Sequence, residues 1–130
     1  MIGLYDLGLS EETIKSMIEL NPNLVDITEK ELDNKLKILK TVNCSDNQIR
    51  NIIGSNSLYL DRTNEDILNL INYLLDKGFR TLNILFDSNP YILNLDSFEI
   101  DNYINNRLER ETLEDIIDDL DSNPYLFNEM

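Results

Sequence analysis

The 130-residue sequence contains no histidine, no tryptophan and no alanine, and only one cysteine, Cys44. Without histidine neither a Ser-His-Asp nor a Cys-His catalytic arrangement can be built, and Cys44 has no neighbouring base to activate it. Zinc is excluded for want of Cys and His ligands. A lone thiol cannot form an intramolecular disulfide framework, so a reducing, cytoplasmic setting is expected. The four glycines, Gly3, Gly8, Gly54 and Gly78, are isolated, which leaves no phosphate-cradling loop. No window approaches the ~18 consecutive apolar residues of a membrane span, and Met1 to Asp6 has no basic region ahead of an apolar run, so neither an anchor nor a signal peptide is expected. Positive charge is scarce too: 11 basic residues face 25 acidic ones, giving −14 and a pI near 4.1. Such a field repels phosphates and anionic lipid heads and favours basic partners.

What the sequence does contain is a repeat. Asn21-Pro22-Asn23-Leu24-Val25 returns in altered form at Asn56, Asn89 and Asn123, in steps of 35, 33 and 34 residues. A fixed period in the range of about 20–50 residues marks stacked units, each needing a neighbour to bury its apolar face. Between the turns lie helical stripes: Ile14, Met17 and Ile18; Leu32, Leu36 and Leu39; Ile49, Ile52 and Ile53; Ile67, Leu70, Ile71 and Leu74; Leu82, Leu85 and Phe86; Ile100, Ile104 and Leu108; Leu113, Ile116, Ile117 and Leu120. Ser10, Thr28, Ser45, Thr63 and Asp96 stand where N-caps belong, and Gly78 is suited to a left-handed helix stop. Read alone, residues 81–86 and 91–95 could be buried strands, but the register assigns helix. The pattern predicts an all-α solenoid of about three and a half units, approximately 4–40, 41–75, 76–110 and an incomplete 111–130. A polar cap would explain the short last unit, and so would trimming from a longer protein. Cys44 aligns with Leu9 and Phe79, a core position. The tyrosines Tyr59, Tyr91 and Tyr125 recur in or beside the turn, where packing between repeats is expected.

The charge is unevenly spread. Residues 1–110 carry 18 acidic and 11 basic groups, whereas residues 111–130 carry seven acidic groups and no basic one, half of the net charge. Glu111, Glu114, Asp115, Asp118, Asp119 and Asp121 gather around the last helix, which makes them the candidate surface for a basic protein partner. The bland alternative is a solvated outer face. Asp118-Asp119-Leu120-Asp121 lacks the alternating ligands and central glycine of a calcium loop, so no metal and no cofactor are expected. Lys30, Lys35, Lys37 and Lys40 share one helix with Glu29, Glu31 and Asp33, which are placed to pair with them.

The stretch from Leu4 to Ile14, Leu-Tyr-Asp-Leu-Gly-Leu-Ser-Glu-Glu-Thr-Ile, followed by Asn21-Pro22-Asn23-Leu24, resembles the repeat of the mitochondrial transcription termination factor (mTERF) family. Asn43 to Ile49, and Gly78-Phe79 with Asn89 to Ile92, are similar copies. The resemblance implies a left-handed or irregular superhelix with two helices and a short helical turn per repeat, wrapping duplex DNA with a basic face. No individual DNA-contacting residue carries over. Against contact with DNA stands the −14 charge, so the leading expectation is a non-enzymatic protein-interaction module. An acidic mimic of nucleic acid, of the kind that inhibits restriction or CRISPR machinery, is one alternative. The other is a DNA- or RNA-binding regulator, for which Lys30, Lys35, Lys37, Arg50, Arg80, Arg107 and Arg110 would have to converge.

Overall fold

The computed structural model describes residues 2–130, apart from the side chain of Ile2; Met1, part of the N-terminal stretch read above, lies outside them. The elements in order are α1 (Ile2–Asp6), α2 (Glu11–Leu20), η1 (Pro22–Asp26), α3 (Glu29–Thr41), α4 (Asp46–Ser55), η2 (Ser57–Asp61), α5 (Asn64–Lys77), α6 (Leu82–Ser88), η3 (Pro90–Asn94), α7 (Ser97–Leu108), α8 (Leu113–Ser122) and η4 (Pro124–Glu129), where η denotes a 3-10 turn. Among the described residues there is no strand. A unit is therefore a first helix, a 3-10 turn and a second helix, and the chain is an all-α helical repeat.

Local chemistry sets the boundaries. The hydroxyls of Ser10, Thr28, Ser45, Thr63 and Thr112 each accept the N–H three residues on, and Gln48 returns the bond to the Ser45 N–H at 2.9 Å. Each such cap stabilises its helix by about 0.5–2 kcal/mol. The first helices all stop at an asparagine, with φ/ψ of −141/83 at Asn21, −142/75 at Asn56, −145/85 at Asn89 and −130/69 at Asn123. Proline follows three of them and disfavours helix in the residue before it. Ser57 follows Asn56, yet the conformation is the same, so in that unit tertiary bonds supply what proline supplies elsewhere. The stretches leaving the second helices turn through left-handed residues 35 apart, Gly8 (φ 86), Asn43 (φ 68) and Gly78 (φ 110). A Cβ on Gly78 would meet nothing within 4 Å, so its backbone conformation alone favours glycine. Gly8 also shows that α1, which the periodicity did not announce, occupies the place of the last turns of a second helix.

Equivalent elements stack on one another: α2, α4 and α6 form one row, α3, α5 and α7 a second, and η1 to η4 a third. The core is the seam between the rows and includes Leu4, Met17, Leu39, Ile53, Leu70, Phe79, Phe86, Ile104 and Leu120. Phe79 and Phe127 meet at 6.1 Å between ring centroids, joining the start of the third unit to the last turn. Cys44 is buried in this seam, and burial pushes its thiol up to about 11, so it remains protonated.

The capping asparagines tie successive units. The Asn21 amide donates to the Ser57 carbonyl at 3.4 Å, Asn56 to the Pro90 carbonyl at 2.9 Å and Asn89 to the Pro124 carbonyl at 2.9 Å. Asn56 and Asn94 also exchange amide bonds at 2.9 and 3.0 Å. Of the three turn tyrosines, the expected packing between repeats holds for Tyr59, which is fully buried with its hydroxyl donating to the Lys35 carbonyl at 2.7 Å. Tyr91 and Tyr125 are exposed. They lie one position earlier relative to their asparagines than Tyr59 does, and one residue in a 3-10 turn rotates a side chain by about 120°.

Candidate functional site

The six acidic residues around the last helix do not form one open surface. Glu111 precedes α8 and takes a bidentate pair from Arg107 on α7, at 2.6 and 2.7 Å. Asp119 on α8 faces the same guanidinium at 2.8 Å, and its carboxylate also accepts from the Asn123 amide at 2.8 Å. The Tyr103 hydroxyl accepts from Arg107 at 3.0 Å. Bonding to Arg107 holds both carboxyls below the usual carboxylate range, with Asn123 assisting at Asp119. Two of the six candidates are thus consumed in fastening α8 to α7. Glu114, Asp115, Asp118 and Asp121 are exposed and have no ion-pair partner within 4.0 Å among the described residues. Glu114, Asp115 and Asp118 are opposite the buried Ile116, Ile117 and Leu120, and Asp121 flanks them, so the same amphipathic pattern that exposes these carboxylates also folds the helix.

The cations are similarly divided. Lys35 is buried, not part of any phosphate-tracking stripe, and donates to Asn64 Oδ1 at 2.6 Å. Burial lowers its pKa, against the opposing charges of Glu31 and Asp61. Arg50 donates to the Leu7 carbonyl at 3.3 Å and to Asn47. Arg62 binds the Asn94 and Leu95 carbonyls and the Asp96 carboxylate at 3.0–3.1 Å, clamping the second unit to the third. Lys77 lies 3.9 Å from Asp101 and over the Tyr73 ring. Lys35, Arg50 and Arg107 therefore leave the set proposed to converge on nucleic acid, since each is committed to holding units together. The i, i+4 pairs expected on α3 are absent as well: among the described residues no salt bridge joins its lysines to Glu29, Glu31 or Asp33.

What remains exposed has an arrangement that composition did not reveal. Lys37 and Lys40 stand in the last turns of α3, Arg80 just beyond α5 and Arg110 just beyond α7. Because these three helices are stacked neighbours, the four cations fall along one edge of the second-helix row. The opposite ends carry Glu29, Glu31, Glu65, Asp66 and Glu99, and exposed Lys30 lies there too, so it does not join the other cations; Asp76 and Glu109 stand among the cations at the C-terminal ends. Cations at helix C-termini and anions at N-termini are favoured by the helix dipole, which explains the polarity locally. Lys40 lines a cleft of about 160 Å³ between α1, α3 and α4 together with Asp6, Asp46 and Arg50. A scan for this edge in the sequence would have required the repeat register first, then a count of charge by helix end instead of by helix.

No helix among the described residues is long and apolar enough to cross a membrane, and no group of three or more of their Cys, Asp or Glu side chains is placed to hold a metal ion. No curated protein matches the chain. The mTERF family model matches residues 3–104, from α1 into α7, which take in the stacked helices, 3-10 turns and asparagine-ended first helices of the first three units described above, and the chain belongs to the mTERF family.

Proposed function

We propose that the chain is a non-enzymatic regulator that binds nucleic acid through the edge formed by the C-terminal ends of α3, α5 and α7. Membership of a family whose resemblance implies DNA binding supports this reading, and the observation that carries it is the alignment of Lys37, Lys40, Arg80 and Arg110 on that edge. The strongly negative remainder then acts on specificity: it repels phosphates from every other face and orients the duplex or strand on this one. Titration of labelled duplex and single-stranded oligonucleotides, followed by fluorescence anisotropy from low to physiological salt, tests it. Neutralising about four phosphates gives a log–log salt slope of about −3 to −4 on duplex. Replacing Lys37, Arg80 and Arg110 by glutamate abolishes binding on this reading. No binding by the parent chain at low salt removes nucleic acid as a direct ligand.

A second reading rests on a different observation, the four unpaired carboxylates Glu114, Asp115, Asp118 and Asp121 on and beside the outer face of α8. They suit a basic protein partner, including a DNA-binding protein whose phosphate contacts they would imitate. Charge reversal at Glu114, Asp115 and Asp118 that leaves capture of such a partner unchanged makes this only a solvated face.

A further inference from the structure

The row of 3-10 turns presents a second surface, unrelated to either charged edge. Leu58, Tyr91 and Tyr125 occupy the same position in η2, η3 and η4, two residues after the capping asparagine, and are 50%, 44% and 63% exposed. Because η2 stacks on η3 and η3 on η4, the three side chains form a ladder; in η1 the same position is the polar Asn23, so the apolar ladder has three rungs. The turns that carry the ladder are tied to one another by hydrogen bonds. Asn56 and Asn89 bond the carbonyls of Pro90 and Pro124, and Asn94 and Asn128 reach back to the same asparagines from one 3-10 turn beyond Tyr91 and Tyr125. The Tyr91 and Tyr125 hydroxyls make no hydrogen bond within the described chain, in contrast to those of Tyr59 and Tyr73.

The charge along this edge is of one sign. Asp61 lies one turn after Leu58, Asp26 is equivalent to it in η1, and Glu129 ends η4; all three are exposed. The only cation within the turns and their flanking caps, Arg62, points inward to the Asn94 and Leu95 carbonyls and Asp96. A stacking platform for single-stranded nucleic acid requires cations beside its aromatic rings, and here there are none. Exposed aromatic and aliphatic side chains flanked by carboxylates fit a basic, apolar peptide instead.

Spacing selects the conformation of that peptide. Stacked helical elements sit about 8–10 Å apart. A polyproline II helix repeats every three residues, or about 9 Å, and exposes the same side of the chain at each turn without spending ordering entropy on binding. We infer that the 3-10 edge is a docking site for a proline-rich segment in polyproline II conformation, whose every third residue packs against Leu58, Tyr91 or Tyr125 and whose flanking arginine or lysine meets Asp61 or Asp26.

The test uses the full chain and a labelled proline-rich peptide with an aliphatic residue at every third position and arginine at both ends. Saturable binding is expected, weakened at least about tenfold by Tyr91→Ser with Tyr125→Ser. Both positions are exposed, so the thermal melt of this variant should match the parent and separate lost docking from lost folding. Asp61→Asn should weaken the arginine-bearing peptide and spare one with glutamine in place of arginine. Replacing the prolines by alanine should remove binding. Failure of the parent chain to bind overturns the inference, as does binding insensitive to the tyrosine substitutions. Loss on charge reversal of Glu114, Asp115 and Asp118 with the tyrosine variant unaffected would show general attraction to an acidic protein and overturn it too. Displacement of the peptide by oligothymidylate in a tyrosine-dependent manner would replace it with a nucleic-acid platform.

Discussion

The junction between the first and second units and the junction between the second and third solve the same problem in different ways. At the first, the asparagine link is long, 3.4 Å from Asn21 to the Ser57 carbonyl, and the space is filled by the buried Tyr59 ring, with its hydroxyl on the Lys35 carbonyl and the Lys35 ammonium on Asn64. At the second, Asn56 and Asn94 exchange amide bonds, Arg62 clamps three acceptors, Asn51 binds Asp87 and the Tyr73 hydroxyl binds Asp101. The first also has Arg50 on the Leu7 carbonyl and the Ser57 hydroxyl on the Met17 carbonyl, at 3.3 and 3.4 Å, so these polar links are longer than the Asn56–Asn94 and Arg62 bonds of the second and are joined by a buried ring. The same repeat register thus tolerates two sets of contacts, and the polar one is not complete, since the buried Nε of Arg62 has no hydrogen-bond partner among the described residues.

Substitutions should separate the two. Tyr59→Ala removes a fully buried ring and is expected to cost about 3–5 kcal/mol in chemical denaturation, while Tyr59→Phe loses only the bond to Lys35 and costs about 1–2 kcal/mol. Asn56→Ala strands the Asn94 amide and the Pro90 carbonyl and should cost about 1–3 kcal/mol; Asn21→Ala, acting on one long bond, should cost under about 1 kcal/mol. Equal losses at Asn21 and Asn56 would erase the distinction between the junctions.

The attachment of α8 to α7 offers a third kind of junction, an ionic one, with a signature in pH. Arg107 holds Glu111 and Asp119 below the ordinary carboxylate range. Their contribution is present above the unfolded pKa of about 4 and lost as pH falls through the lower folded values. A pH series of thermal melts should therefore show stability dropping at the acid end for the parent and a flatter profile, from a lower start at neutral pH, for Arg107→Met. The smallest effect is expected on the outer face of α8: charge reversal at Glu114, Asp115 and Asp118 should leave the melt nearly unchanged, because none of them is paired.

Much of this was legible beforehand, for physical reasons that particular residues show. The caps at Ser10, Ser45 and Thr63 and the stop at Gly78 depend on bonds and backbone angles within a few residues, and each is found as expected. The stripes of Ile49, Ile52 and Ile53 or Leu82, Leu85 and Phe86 followed from helical period, and all six are buried. Less of the candidate site was legible. Glu111 and Glu114 are alike in composition and proximity, yet one is spent on Arg107 and the other faces solvent. Lys35 and Lys37 are two residues apart, but one points into the seam between α3 and α5 and the other away from it.

The sequence by itself determined the unit: its length, its helix ends, its apolar stripes and its membership of a family of repeats, because these arise from interactions that the chain makes with itself over a few residues. Only the tertiary structure decided which cations and carboxylates are used up in holding units together, that Lys37, Lys40, Arg80 and Arg110 are left at the C-terminal ends of stacked helices, and that Tyr59 is inside while Tyr91 and Tyr125 are outside. Most of those outcomes depend on residues far apart in sequence, up to 43 positions, meeting across stacked units, and on single-residue offsets that a period of about 34 does not resolve.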